Sequence, residues 1–214
     1  MFEQALPQNT KKYLAILDEK KVLPPKTYLS GGTAIALQLG HRISFDLDFF
    51  CQDEFDINRV LNNLGKIKDF QLDRTDWGTI LGRFTNCKFS LFYYQYPLLK
   101  KPLKFKGIEI SSLEDLAASK INAISSRGTK RDFVDIYYIL KMANIGDLTE
   151  CLNLYQKRFK NLASQRAHIL KSLIYFEDAE RDNDPEILLD GYSWQKIKNF
   201  IELETKKYLQ SEIR

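Results

Sequence analysis

Residues 28–50 read YLSGGTAIALQLGHRISFDLDFF, a short strand, a glycine pair, a brief helix and an acid-bearing strand in succession. Tyr28 and Leu29 have strand character, Gly31 and Gly32 interrupt it, and residues 34–39 have the composition of a brief helix. Glycines between a strand and a helix let the backbone approach a ligand, and free N–H groups at the helix start attract phosphate. A plain tight turn explains the same pair equally well. Residues 45–50 read as a second strand, apolar except for Asp46 and Asp48. Residues two apart on a strand project to the same side, about 6.6 Å apart, which turns Leu47 and Phe49 the other way, into the core. A strand this apolar belongs inside a sheet rather than at a solvated edge. Two carboxylates side by side repel each other, and a divalent cation relieves the repulsion. Asp46 and Asp48 are therefore read as metal ligands.

Outward from this stretch, Asn9 or Thr10 is expected to cap a helix carrying Tyr13, Leu14 and Leu17, and Asp56 one carrying Val60, Leu61 and Leu64. Residues 70–75, 79–84 and 88–94 are β-like and are joined by Asp76-Trp77-Gly78 and Thr85-Asn86-Cys87, which predicts an antiparallel meander. Residues 106–110 complete the strands. After residue 111 the apolar spacing is helical, over 113–126, 130–142, 149–160, 164–176 and 193–209. The expected class is α+β: a mixed sheet with helices over residues 1–110, then a helical domain over 111–214. No flexible linker separates the two, so they are expected to pack on each other.

A second constellation lies in the helical part. Lys120 falls within the apolar stripe of Leu113, Leu116, Ala117, Ile121 and Ile124, and Arg127 follows seven residues later. A lysine on a buried face needs a partner, unless it snorkels to solvent. Arg131-Asp132 opens the next helix, where Asp132 and Asp135 share a face with Ile136 and Ile139. Such a set is either an ion-pair cluster tying two helices together, or a Lys120 aimed at a triphosphate with Asp132 and Asp135 as organisers or base. His41 is set aside as an exposed loop histidine.

Composition narrows the classes. The 214 residues are 44% hydrophobic and 28% charged, which excludes wholesale disorder. A net charge of +4 does not by itself mark a nucleic-acid binder. Three scattered cysteines and two histidines argue against structural zinc. No signal peptide or membrane-length apolar run is visible, so the expected location is cytoplasmic and no membrane is involved. Lys100, Lys101, Lys104 and Lys106 lie beside Tyr93, Tyr94 and Tyr96, and Lys157, Arg158, Lys160, Arg166 and Lys171 follow later. These read as solvated faces or as an RNA-holding surface.

The order hydrophobic residue, two glycines, spacer, then two acids split by one hydrophobic residue resembles the nucleotidyltransferase superfamily. The fuller set resembles its AbiEii/AbiGii toxin branch: GGTAIAL at residues 31–37, HRIS at 41–44, DLDFF at 46–50, then Lys120, Ala123, Arg127, Arg131, Asp132 and Asp135. The DxD of phosphatases with an aspartyl nucleophile fits less well, because Phe49-Phe50 follow the acids here and the glycines lie upstream. The resemblance implies a nucleotidyltransferase-like fold in which Gly31, Gly32 and Thr33 cradle phosphates and Asp46 and Asp48 bind Mg²⁺. Arg42 and Ser44 match the branch's R-x-S, the arginine contacting phosphates or bracing the loop. Lys120, Arg127 and Arg131 face the nucleotide, and Asp132 and Asp135 join Asp46, Asp48 and Lys120 as catalytic. The implied activity is Mg²⁺-dependent transfer of a nucleotidyl group from an NTP to an acceptor such as RNA or tRNA. The implied setting is a bacterial toxin or phage-defence component of the abortive-infection kind, beside a separately encoded antitoxin that need not touch it. One departure stands out: the third carboxylate such enzymes draw from the strand at 88–94 is missing, and Ser90 is the nearest polar residue. It motivates the alternatives of a catalytically degenerate nucleotide-binding protein of this fold and a non-enzymatic partner-binding protein.

Overall fold

A 3₁₀ turn (Glu3–Ala5) and helix α1 (Gln8–Glu19) lead into β1 (Thr27–Leu29), α2 (Gly31–Leu39) and β2 (Leu47–Cys51) of the computed structural model, which describes residues 1–212. Helix α3 (Ile57–Leu64) precedes β3 (Phe70–Asp76), β4 (Thr79–Phe84), β5 (Cys87–Tyr93), β6 (Leu103–Phe105) and β7 (Ile108–Ile110). Helices α4 (Leu113–Ser126), α5 (Lys130–Met142), α6 (Leu148–Phe159), α7 (Leu162–Leu173), α8 (Glu177–Glu180) and α9 (Trp194–Ser211) follow. Among these residues no helix is long and apolar enough to cross a membrane.

The strands form one mixed sheet in the order β3-β4-β5-β2-β1-β7-β6. β3, β4 and β5 are the expected antiparallel meander. β2 lies inside the sheet, parallel to β5 and antiparallel to β1, with Asp48 opposite Ser90 and Phe49 opposite Leu29. Alternation along β2 sends Leu47, Phe49 and Cys51 to a fully buried face, while Asp48 and Phe50 occupy the other. The buried face continues through Phe89, Leu91, Ile80 and Phe84 to α1, where Tyr13 stacks on Phe84 with centroids 4.6 Å apart. The opposite face carries a row of rings, Tyr28, Phe50 and Phe92, and looks toward α4.

Several boundaries differ from the expectations, each for a local reason. β2 starts at Leu47 rather than residue 45, because the Thr10 and Thr33 hydroxyls take the carbonyls of Phe45 and Asp46. That use of Thr10 also explains why α1 starts at Gln8, with Pro7 rather than Asn9 or Thr10 at its cap. The helix expected from residue 34 begins at Gly31. Asp56 does cap α3, accepting from the Arg59 N–H at 3.1 Å. The β6–β7 hairpin was not anticipated as a pair. Its turn, Lys106-Gly107, takes positive φ at both positions (47° and 80°), which twists the strands correctly for a two-residue loop.

One hydrophobic cluster runs from Leu6 to Tyr208, so the strand-rich and helical parts share a core. Ser112 caps α4 by accepting from the Asp115 N–H at 3.1 Å, and Asp115 in turn accepts from Ser112 Oγ and from the Leu99 and Lys100 N–H groups. The segment between α8 and α9 returns to the first half of the chain. Ile43 N–H donates to the Glu186 carbonyl at 2.8 Å, and Leu188 N–H to the His41 carbonyl at 2.9 Å.

Candidate active site

The glycine turn is built for close approach on two sides. Gly31 sits at φ +67°, a left-handed conformation that favours glycine, and a Cβ there would lie 3.0 Å from Asp48 Oδ2. Gly32 has ordinary φ, but its bare side is filled by the Arg42 guanidinium, onto which a Cβ would fall. Ser30, at the cap of α2, donates its N–H to the Asp48 carbonyl at 2.9 Å and gives the helix no side-chain cap. The first N–H groups of α2 therefore lack side-chain acceptors, beside an acid-bearing strand.

The two acids occupy different settings. The Asp46 side chain is 31% exposed, with Arg131 Nη1 at 4.0 Å. Asp48 is largely enclosed and pairs with no basic side chain among the described residues. Burial pushes its carboxyl above the ordinary range and neighbouring Asp46 adds to the rise, while the Ser90 hydroxyl and the charges of Lys120 and Arg127 act the other way. No group of three or more His, Cys, Asp or Glu is placed to hold a metal among the described residues. Two carboxylates still suit Mg²⁺, which commonly takes one or two from the protein and fills its remaining positions with water and substrate phosphate.

Behind the turn lies a charged network. Asp135, fully buried, accepts from Arg42 Nε at 2.7 Å and Nη2 at 2.9 Å and from His41 Nε2 at 2.7 Å, and forms an ion pair with Lys120 Nζ at 2.7 Å. Asp132 accepts from Lys120 at 2.8 Å, from Arg127 at 2.9 and 3.0 Å, and from the Thr129 hydroxyl at 2.7 Å. Burial alone would raise both carboxyls. For Asp135 the charges of Arg42 and Lys120, and for Asp132 those of Lys120 and Arg127, hold them well below the usual range instead. Burial would likewise lower Lys120, but Asp132 and Asp135 outweigh it and keep the ammonium charged. Desolvation depresses the pKa of His41 and favours the neutral ring, its Nε2 meets Asp135, and among the described residues its Nδ1 has no partner.

Between the sheet face and α4 opens a cleft of about 520 Å³. Gly31, Asp48, Lys120 and Arg127 line it at one end, and Phe50, Phe92 and Tyr94 form an aromatic wall.

Comparison with known proteins places the chain in a family. The sequence model of the family described as "Nucleotidyl transferase AbiEii toxin, Type IV TA system" matches residues 15–97 and 95–207. The chain belongs to this AbiEii family. A protein of Aquifex aeolicus (strain VF5), described as uncharacterized protein aq_aa25, is 35% identical over 191 residues, covering 86% of this chain and 88% of that one. In fold the chain is similar to MenT4, nucleotidyltransferase toxin Rv2826c from Mycobacterium tuberculosis H37Rv, with a TM-score of 0.56 at 15% identity over 93% of this chain and 84% of that one. It is also similar to JHP933 from Helicobacter pylori, with a TM-score of 0.53 at 20% identity over 98% and 95%. As an AbiEii-family member it is a nucleotidyltransferase toxin, hence an enzyme.

Within this AbiEii-family fold the residues singled out in the sequence fall into two layers. Gly31, Asp48, Lys120 and Arg127 line the cleft, with Asp46 and Arg131 adjoining. Thr33, Arg42, Ser44, Asp132 and Asp135 stand behind it, and Gly32, in the first turn of α2, turns its bare side to Arg42. Thr33, Arg42 and Ser44 were expected to contact the nucleotide, but they are 1%, 3% and 6% exposed. Thr33 Oγ1 pairs with Ser44 Oγ at 2.9 Å and bonds the Asp46 carbonyl, which fixes the loop that carries the acid. The Arg42 guanidinium bonds Asp135 and the Ile43 carbonyl in this structure. His41 corrects the expectation of an incidental exposed residue: it is fully buried on Asp135. Arg127, expected on a buried face, has a side chain 63% exposed. The aromatic wall was missed. Period-two alternation through Asp48, Phe50, Ser90 and Phe92 was the signal for the wall, available only once β2 is paired with β5.

Proposed function

We propose that this toxin transfers a nucleotidyl group from an NTP to an RNA acceptor in a Mg²⁺-dependent reaction, as part of a toxin–antitoxin or phage-defence system in the bacterial cytoplasm. The observation that carries this reading is Asp48, a carboxylate pushed up by burial and without an ion pair among the described residues, set at the N-terminus of α2 and lining an open cleft with Lys120 and Arg127. A desolvated, unpaired acid costs stability, and a bound cation gives it a purpose. Asp46 and Asp48 would hold Mg²⁺, which would neutralise phosphate charge. The N–H groups at Gly31 and Gly32 receive phosphate oxygens. Lys120 is fixed by two carboxylates and directs its remaining Nζ–H toward the phosphates; Arg127 and Arg131 add charge beside it.

In the transfer itself the acceptor hydroxyl oxygen bonds to the α-phosphorus, the bond from that phosphorus to the bridging oxygen breaks, and pyrophosphate leaves. The hydroxyl proton passes to solvent. Asp132 and Asp135 act as organisers rather than bases, because a carboxylate held far below neutral pH and saturated with cations is a poor proton acceptor. Ser90, beside Asp48 in the register, supplies a hydroxyl where a third carboxylate was expected. An antitoxin encoded separately need not contact the chain. We further propose that residues 1–110 and 111–214 are the two lobes flanking the nucleotide.

Each labelled NTP incubated with Mg²⁺ and total bacterial RNA tests the reading. Label is expected in RNA with the unaltered chain and not with Asp46→Ala. Mg²⁺-dependent NTP binding without label in RNA or in any other acceptor supports the degenerate nucleotide-binding alternative. Absence of both overturns the nucleotide reading.

A further inference from the structure

Small residues of α4, Ser119, Ala123 and Ser126, line the cleft together with the aromatic wall of Phe50, Phe92 and Tyr94. Two of them carry hydroxyls already spent on backbone. Ser119 Oγ donates to the Asp115 carbonyl at 2.9 Å, and Ser126 Oγ to the Asn122 carbonyl at 2.8 Å. The Asn122 side chain is different. It lines the same cleft, is only half-buried, and its amide has no partner among the described residues, so two donors and an acceptor remain free. At about 100° per residue, Asn122 stands about 160° around the helix from Lys120, on the far shoulder of α4. Opposite shoulders of one helix are separated by about 10 Å. One shoulder carries the phosphate-facing charge and the other an unused amide. The wall between them is stiff: Phe50 packs on Phe92 at 5.4 Å and on Tyr94 at 4.9 Å, and the buried Arg158 guanidinium lies 5.8 Å from the Tyr94 ring centroid.

We propose that Asn122 reads the nucleobase of the bound NTP, with the base stacked on the wall of Phe92 and Tyr94, so that this residue sets which NTP is used. The inference rests on the nucleotide reading of the cleft above. A carboxamide pairs its N–H and C=O with an adjacent acceptor and donor on a base edge, and the pair discriminates against bases that lack the complement.

The test measures affinity of the full chain for ATP, GTP, CTP and UTP, each with Mg²⁺, and for inorganic tripolyphosphate with Mg²⁺ as a base-free probe. The unaltered chain prefers one NTP. In Asn122→Ala the affinity for that NTP falls about 10–100-fold and the preference among the four collapses. Tripolyphosphate affinity stays within about twofold, and the melting temperature is unchanged. Asn122→Asp, which replaces the donor amide by a second acceptor, changes which NTP is preferred. Equal affinity of the unaltered chain for all four NTPs, or an unchanged preference in Asn122→Ala, overturns the assignment of Asn122. If neither tripolyphosphate nor any NTP binds the unaltered chain, the nucleotide reading itself fails and this assignment with it.

Discussion

Gly32 is predicted to be glycine because of Arg42, not because of a ligand, and one substitution separates the two reasons. Its φ is ordinary, so alanine at this position suits the helix and by propensity alone stabilises it by up to about 1 kcal/mol. The added Cβ falls on the Arg42 guanidinium, however, with Cζ at 3.2 Å and Asp135 Oδ2 at 3.4 Å. A flexible surface arginine would step aside at little cost. Here the side chain is 4% exposed and bonded to Asp135 through both Nε and Nη2, so moving it strips a buried pair. Breaking such a pair costs about 3–5 kcal/mol, which leaves Gly32→Ala a net loss of about 2–4 kcal/mol. At about 2–4 °C per kcal/mol for a chain of this length, the melting temperature falls by about 5–15 °C, read by circular dichroism at pH 7. The cost should vanish when its cause is absent: in an Arg42→Ala background, Gly32→Ala becomes neutral or slightly stabilising. An equal loss in both backgrounds, or no loss in the first, refutes the argument.

Asp48→Asn is expected to raise the melting temperature at pH 7 by a few degrees while transfer falls at least about 10²-fold. The sign follows from the raised pKa. A carboxyl whose folded pKa exceeds its unfolded value contributes stability only at low pH and loses it as pH rises, so the gain from the amide should shrink on acidification. Asp132 and Asp135 have the opposite sign: their contribution is complete above about pH 4 and is lost as pH falls further. His41, held below its ordinary value, adds an earlier loss below about pH 6.5, so urea midpoints should drop between pH 7.5 and 5.5 and again by pH 3.5. In His41→Gln the first drop disappears. Mg²⁺ with NTP should raise the melting temperature of the unaltered chain, EDTA should reverse the rise, and Asp46→Ala should show none.

The acids, the glycine turn and the helical lysine were legible because each breaks a local rule. Asp46 and Asp48 interrupt an apolar strand, Gly31 and Gly32 interrupt a strand-to-helix passage, and Lys120 interrupts an apolar stripe. The meander was legible for a different reason: its turns carry their own chemistry in Asp76-Trp77-Gly78 and Thr85-Asn86-Cys87. What stayed hidden depends on pairings distant in sequence. Arg42 meets Asp135 across 93 positions, and nothing near residue 42 announces that partner. His41 looked incidental because loop position suggests exposure, yet the segment around residues 186–188 covers it. The aromatic wall needs the β2–β5 register, which joins strands separated in the chain by α3, β3 and β4.

That covering segment has a consequence for how the toxin comes into being. Arg42 and His41 cannot take their positions until Asp135 exists, and the loop that carries them is not clasped until residues 186–188 have been made. At about 5–20 residues per second, the 93 positions between Arg42 and Asp135 alone occupy the ribosome for about 5–19 s. Throughout that interval the glycine turn and both acids are already synthesised but lack the buttress that shapes them. The buttress is thus complete only once residues 186–188 have been made, and a chain truncated before residue 135 is expected to carry the glycine turn and both acids without the groups that hold Arg42 and His41.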